Sequence, residues 1–247
     1  MKSNTIILVA FACCVVAVGC AQQPPADTTA AEPAPEPVRD VVTAEQQRAM
    51  SPADVLADLK AGNERFVAGE LTPRDYNAQA AATASGQYPK AIILSCVDSR
   101  VPVELVFDQG IGDVFVGRVA GNAENVDMLG SMEFATKAAG SKVIVVLGHT
   151  SCGAIKGAAD GVELGNLTAL LDNFDGALEK AAEVTDGNTT SKNAAFVSAA
   201  IEENVRQTMT DILERSEVIS EMVDDGEVMV VGGIYDLASG KVTWLDA

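Results

Sequence analysis

The sequence predicts an α/β fold, in which helices flank a mostly parallel β-sheet. Three short apolar runs, at 91–94, 143–147 and 228–231, have the length and composition of buried strands. Longer segments with apolar residues at helical spacing lie between them. Strands that alternate with helices favour parallel pairing in one sheet. The segment 234–244 has the pattern strand, turn, strand, so we expect it to add only an antiparallel edge.

The predicted helices lie between the strands and have recognisable starts. Ser51, followed by Pro52 and an acidic residue in the first turn, marks the start of the first long helix. Further helices are predicted at 76–85, 103–107, 125–139, 153–159, 167–184 and 193–222, and one more strand at 114–116. The sequence shows no internal repeat and no second domain, so we expect a single folded domain.

The first 20 residues have the features of an export signal. A short basic start precedes an apolar stretch at 5–18, which is too short to span a bilayer comfortably. The sequence Ala-Val-Gly-Cys that ends at Cys20 resembles a bacterial lipobox, in which the cysteine carries lipid. We therefore expect a lipoprotein signal at 1–20 and a periplasmic protein that lipidated Cys20 anchors to a membrane. The alternative is an ordinary signal peptide that is cut near Cys20.

Composition distinguishes a flexible linker from the folded domain, and the net charge limits the binding partners that the protein can have. Residues 21–42 are rich in Pro and Ala, which predicts a flexible linker ahead of a domain at 43–247. The formal net charge is −18, with only 17 Lys and Arg residues. Such a chain is a poor partner for nucleic acid or anionic lipid. Contact with a membrane is therefore expected only through the lipid on Cys20.

Residues that bind metals follow two of the predicted strands. Cys96 and Asp98 come directly after the strand at 91–94, and His149 and Cys152 come at and after the end of a later strand. The carboxyl ends of the strands are where sites form in open α/β sheets. Two thiols in an exported protein can instead form a disulfide, and a histidine after an apolar strand can be an ordinary core residue. Neither alternative accounts for the whole set, so we favour a metal site.

Thiolate and imidazole ligands indicate zinc. Two thiolates and one imidazole leave a fourth position, which either water or Asp98 can fill. Zinc lowers the pKa of a bound water to about 7, which provides a nucleophile at neutral pH. Arg100 lies two residues from Asp98, and its guanidinium can hold the carboxylate away from the metal. Asp98 is then a fourth ligand only in a closed state and otherwise orients the nucleophilic water.

The two metal-binding segments together resemble the β-class carbonic anhydrases. The resemblance rests on Cys-Val-Asp-Ser-Arg-Val-Pro at 96–102 and Gly-His-Thr-Ser-Cys-Gly at 148–153. It continues through four further segments, at 59–66, 107–113, 118–122 and 235–240. The order and spacing of these motifs carry more weight than any one of them, and together they cover the chain from Asp54 onward.

The resemblance implies an activity and a set of site residues. The expected reaction is the reversible hydration of CO2 to bicarbonate and a proton, with one Zn2+ per chain. The implied residues are the zinc ligands Cys96, His149 and Cys152, the catalytic pair Asp98 and Arg100, and the substrate-contacting Gln87, Phe115, Phe134 and Gly153. In the family the pocket lies at a dimer interface. Gln87 and Phe134 are therefore expected from the neighbouring subunit of a homodimer or a multiple of dimers.

Two other functions use the same residues. One is a hydrolase on the same scaffold that acts on a sulfur analogue of CO2. The other is a noncatalytic zinc-binding lipoprotein, which has no need of Asp98 and Arg100. Some family members close the metal site with the help of a tryptophan, and Ile93 stands at that position here. We therefore expect an open zinc site at neutral pH.

Overall fold

Five strands form a single sheet with the order β2-β1-β3-β4-β5 in the computed structural model, which describes residues 35–245. The strands are β1 Ala91–Ser95, β2 Val114–Arg118, β3 Val143–His149, β4 Met229–Tyr235 and β5 Val242–Trp244. Strands β1 to β4 are parallel, and β5 is antiparallel to β4. The predicted α/β class, the mostly parallel sheet and the antiparallel edge are thus confirmed.

Helices occupy the connections between the strands. They are α1 Ala44–Ala49, α2 Pro52–Ala68, α3 Tyr76–Thr83, α4 Val103–Val106, α5 Val126–Glu133, α6 Gly153–Ala159, α7 Asn166–Leu171, α8 Asp175–Val184, α9 Ala194–Arg215 and α10 Glu217–Asp224. Short 3-10 turns lie at Ala120–Asn122 and Asp172–Phe174, and a π-helical turn at Phe134–Ala138 extends α5.

The sheet is covered on both faces because most side chains of its central strands are apolar. Every residue of β1 and β3 is buried. Ile93 lies in the same core cluster as Leu59 of α2 on one face. Its neighbour Ile92 lies with Met132 of α5 and Ile212 of α9 on the other, as the alternation of side chains along a strand requires. Each buried isoleucine contributes about 1.5–3 kcal/mol to the free energy of unfolding.

The parallel register brings the ends of β1 and β3 to the same edge of the sheet. Ser95 of β1 pairs with Leu147 of β3 and with Arg118 of β2. Cys96 leaves the sheet one residue beyond this level, and His149 ends β3 two residues beyond it. Both predicted ligand segments therefore begin at the carboxyl edge of the two central strands.

Two segments with helical spacing are interrupted by turns. The segment 167–184 divides at Asp172–Phe174, where the fully buried side chain of Phe174 enters the core. The segment 193–222 divides at Ser216. Its hydroxyl accepts a hydrogen bond from the backbone N–H of Ile219 at 3.2 Å and so caps α10. Apolar spacing does not reveal such breaks, because it continues through them.

The last residues of the predicted linker are bonded to the domain. The backbone N–H of Val38 donates to the carbonyl of Pro73 at 2.8 Å, and its carbonyl accepts from Asp75 at 2.9 Å. The predicted linker at 21–42 thus overlaps with paired residues at its end. The predicted signal at 1–20, with Cys20, lies outside the described residues. Within residues 35–245, every helix is too short or too polar to cross a bilayer.

Candidate metal centre

Three buried side chains meet at the carboxyl edge of the sheet. The Sγ atoms of Cys96 and Cys152 and an imidazole nitrogen of His149 all lie within 4.8 Å of one another. Cys96 follows β1, His149 ends β3, and Cys152 lies at the N-terminus of α6. The two cysteines are free thiols, not a disulfide. The structure thus brings together the three predicted ligands from strands that are neighbours only in the fold.

The imidazole of His149 is oriented for binding a metal. Its Nδ1 lies 3.0 Å from the carbonyl oxygen of Thr150, which can only accept, so Nδ1 carries the proton. The other nitrogen, Nε2, is buried and lacks a hydrogen-bond partner within residues 35–245. A buried acceptor without a partner is unfavourable unless an ion or a water completes it. Its free lone pair and the two sulfur atoms match the donor set that zinc prefers.

The two thiols differ in their affinity for protons. A hydrogen bond from Cys152 lowers the pKa of Cys96, although burial acts in the opposite direction. The same interaction, together with burial, raises the pKa of Cys152. The backbone N–H of Gly121 donates to Sγ of Cys96 at 3.3 Å and also favours its thiolate. These interactions favour the thiolate form of Cys96, which is the form that binds metals.

Asp98 and Arg100 form a bidentate pair beside the cluster. The guanidinium donates from Nη2 to Oδ2 at 2.6 Å and from Nε to Oδ1 at 2.9 Å, and the backbone N–H of Arg100 adds a bond to Oδ1. Asp98 Oδ2 lies 3.9 Å from His149 Nε2. The hydrogen bonds from Arg100 lower the pKa of Asp98 well below its usual range, so this carboxylate is ionised at neutral pH.

Arg118 holds the loop that carries these residues. Its Nε donates to the carbonyl of Cys96 at 2.8 Å, and its Nη2 donates to the carbonyl of Asp98. Arg118 begins the motif segment at 118–122, but its sequence context alone predicts no function for it. Arg118 ends β2 in register with Ser95, the last residue of β1, so the sheet itself positions its side chain beside the loop.

Four predicted site residues remain, and only one of them, Gly153, adjoins a ligand of this cluster in the sequence. Gly153 directly follows Cys152, and a Cβ atom at this position would meet open space. Phe115 of β2 and Phe134 are in edge-to-face contact, with ring centroids 6.0 Å apart. They line a groove of about 770 Å³ that includes none of the three ligands. Gln87 is exposed between α3 and β1. A single chain therefore does not bring Gln87 and the two phenylalanines into one pocket with the ligands.

Comparison with known proteins identifies the class. The sequence profile of the carbonic anhydrase family matches residues 91–242. Carbonic anhydrase 2 of Mycobacterium tuberculosis is 38% identical over 190 residues, which are 76% of this chain and 90% of the relative. A carbonic anhydrase of Mycolicibacterium smegmatis is 36% identical over 188 residues, 74% of this chain and 88% of the relative. The chain belongs to the carbonic anhydrase family.

Solved structures place it in the β class. A β-carbonic anhydrase of Aspergillus fumigatus has a TM-score of 0.63 and 26% identity, and the match covers 78% of this chain and 90% of that one. A tetrameric β-carbonic anhydrase of Sordaria macrospora has a TM-score of 0.59 and 25% identity, and the match covers 69% of this chain and 91% of that one. Enzymes of this class depend on zinc, and Cys96, His149 and Cys152 form a site that is compatible with it.

Proposed function

We propose that this protein catalyses the reversible hydration of CO2 to bicarbonate and a proton. The observation that carries the proposal is the position of the Asp98–Arg100 pair, whose carboxylate lies 3.9 Å from the imidazole of the Cys-His-Cys cluster. A purely structural zinc site needs four protein ligands and no ionised carboxylate held beside them. Here both oxygens of Asp98 are bonded to Arg100, which supports three protein ligands and one open position.

Five residues of the chain have distinct roles in the proposed reaction. Cys96, His149 and Cys152 would hold the zinc ion, which when bound would supply the Lewis acidity that makes water nucleophilic near neutral pH. Asp98 accepts a hydrogen bond from the attacking water and so directs its lone pair toward the carbon of CO2. Arg100 keeps Asp98 ionised and in place, because its guanidinium is a rigid fork and its charge is permanent.

Stopped-flow hydration of CO2 by the zinc-loaded protein, with zinc quantified in the same sample, tests this function. We expect rapid hydration that is lost when the metal is removed and is strongly reduced in Asp98→Asn. One zinc per chain without hydration at neutral or alkaline pH would instead indicate a noncatalytic zinc protein. Turnover of carbonyl sulfide or carbon disulfide without turnover of CO2 would favour the hydrolase of a sulfur analogue.

We further propose that the active unit is a dimer formed along β2. This strand is the parallel edge of the sheet, so one side of its backbone is free to pair or to be covered. Beside it Phe134 is 58% exposed and Val126 is 74% exposed, at the groove that Phe115 also lines. Apolar surface of this kind on a single chain is typical of a contact face. The tetrameric assembly of the Sordaria macrospora relative supports a multiple of such dimers.

A mixing experiment tests whether Gln87 acts across this interface. Asp98→Asn and Gln87→Ala chains are each expected to have little activity alone. If the site combines Asp98 of one subunit with Gln87 of the other, each mixed dimer has one site without a substitution. Refolding the two variants together then restores about a quarter of the wild-type sites. No recovery, with mixed dimers verified by mass spectrometry, would place both residues in the same subunit's site or remove Gln87 from it.

Export and lipidation of Cys20 complete the proposal. The support is the sequence alone, a basic start and an apolar stretch that end in Ala-Val-Gly-Cys. Mass spectrometry of the mature protein is the decisive measurement. An acylated N-terminal Cys20 is expected, and a free N-terminus at or near Cys20 would leave export without the anchor.

A further inference from the structure

Asn204 is a buried amide on the apolar face of α9. It is 4% exposed, and it lies between the buried Ile201 and Val205. Asparagine is unfavourable inside a helix, and its amide is costly to bury without partners. Here the amide donates from Nδ2 to the carbonyl oxygen of Gly121 at 2.8 Å. The two residues are 83 positions apart, so this bond joins α9 to the 3-10 turn at Ala120–Asn122.

Gly121 is held in a conformation that other residues rarely adopt. Its φ is 71°, in the left-handed region. A Cβ atom on it would lie 2.3 Å from Cζ of Phe174, so the ring packs directly against the backbone. The carbonyl bond to Asn204 restrains the same residue from a second direction. Gly121 therefore has little freedom to move relative to Cys96.

This restrained residue directs a hydrogen bond at a metal ligand. The backbone N–H of Gly121 donates to Sγ of Cys96 at 3.3 Å. Such a bond stabilises negative charge on sulfur and withdraws electron density from it. We propose that Asn204 is a positioning residue of the metal centre, which fixes Gly121 so that its N–H tunes the Cys96 thiolate. The inference rests on the proposed ligation of zinc by Cys96.

Zinc affinity and a cobalt spectrum test this inference without reference to activity. Asn204→Asp has nearly the same shape but replaces the donor with an oxygen that repels the Gly121 carbonyl, and Asn204→Ala removes the donor. Both variants are expected to bind zinc at least about tenfold more weakly in competition with a chelator, as for other losses around metal ligands. In the cobalt-substituted protein, the thiolate-to-cobalt charge-transfer band is expected to move to lower energy, because the sulfur has lost a hydrogen bond.

Ile212→Val is the matched control, since Ile212 is buried on the same helix two turns further along and lies in the core cluster of the sheet. It is expected to lower stability and to leave both readouts unchanged. The inference is overturned if the Asn204 variants lose stability as this control does while zinc affinity and the cobalt band stay at wild-type values. If Asn204→Asp does not fold, the alanine variant decides. Failure of the wild-type protein to bind zinc would instead count against the proposed ligands.

Discussion

The guanidinium of Arg100 binds both carboxylate oxygens of Asp98, with Nη2 2.6 Å from Oδ2 and Nε 2.9 Å from Oδ1. The Asp98 side chain is only 16% exposed, whereas that of Arg100 is 58% exposed. The pair is thus a mostly covered carboxylate held from the solvent side by a cation. Such an arrangement fixes the direction of the carboxylate at the edge of the metal cluster.

Substitutions of Arg100 should separate its charge from its shape. Arg100→Ala is expected to lower kcat/KM for CO2 hydration about a hundredfold, because Asp98 is no longer held in position. Arg100→Lys keeps the charge but not the fork, so an intermediate loss is expected. Stopped-flow assays with zinc quantified in each sample make the comparison. Equal activity of Arg100→Lys and the wild type would show that only the charge matters.

Loss of one thiolate should remove the metal. Cys152→Ser replaces a thiolate with a hydroxyl, a poor ligand for zinc at neutral pH, and we expect well under one zinc per chain after dialysis. Elemental analysis and protein quantification provide the measurement. Ser151→Ala changes the adjacent, exposed residue and is expected to retain its zinc. Full zinc content in Cys152→Ser would exclude Cys152 from the ligand set.

Turnover should depend strongly on the buffer. His149 is the only histidine in the chain and is fully buried in the metal cluster, so no second imidazole can carry the released proton to solvent. We expect kcat to rise with the concentration of an imidazole-type buffer at constant pH and ionic strength, and kcat/KM to change little. A kcat that is independent of the buffer would reveal an internal route through other side chains.

Asp108 should make stability depend on pH in the acid range. Burial tends to raise its pKa, but hydrogen bonds from Arg74, Thr72 and Arg65 lower it by more. A carboxylate whose folded pKa is lowered stabilises the fold above its unfolded pKa of about 3.9. This contribution is lost as the pH falls from about 4 through the lower folded value.

Asp108→Asn tests this effect. We expect the free energy of unfolding to fall by about 3–5 kcal/mol at neutral pH, because two arginines lose their buried partner. The difference from the wild type should shrink as the pH falls below 4. Urea titrations from pH 7 to pH 3 measure it, with the exposed Glu163→Gln as a control. If the difference in the free energy of unfolding stays constant over this range, the charge of the Asp108 carboxylate is not what stabilises the fold.

The fold and the metal cluster follow from signals that are local in the sequence. The strands at Ala91–Ser95 and Val143–His149 are short and mostly apolar, and each ends at or beside ligand residues. The ends of parallel strands share an edge, so the meeting of Cys96, His149 and Cys152 could be predicted. The Asp98–Arg100 pair is predictable for the same reason, because the two residues belong to one loop.

Contacts between distant segments could not be predicted in this way. The bond from Asn204 to Gly121 spans 83 positions, and the helical pattern of α9 gives no reason for an amide on its apolar face. Phe174 similarly lies where a helical pattern breaks, and its ring packs against the distant Gly121. The functions of Gln87 and Phe134 stay predictions, since a single chain does not bring them to the metal cluster.

The lone, fully buried histidine gives the protein a built-in reporter. Protein grown with ¹⁵N-labelled histidine contains one imidazole, so its NMR spectrum has one pair of ring nitrogens and needs no assignment. Nδ1 is fixed by the Thr150 carbonyl, whereas Nε2 is buried, lacks a hydrogen-bond partner within residues 35–245 and is the nitrogen left for a metal. Occupancy of the centre can therefore be followed in a purified sample as a shift of the Nε2 resonance.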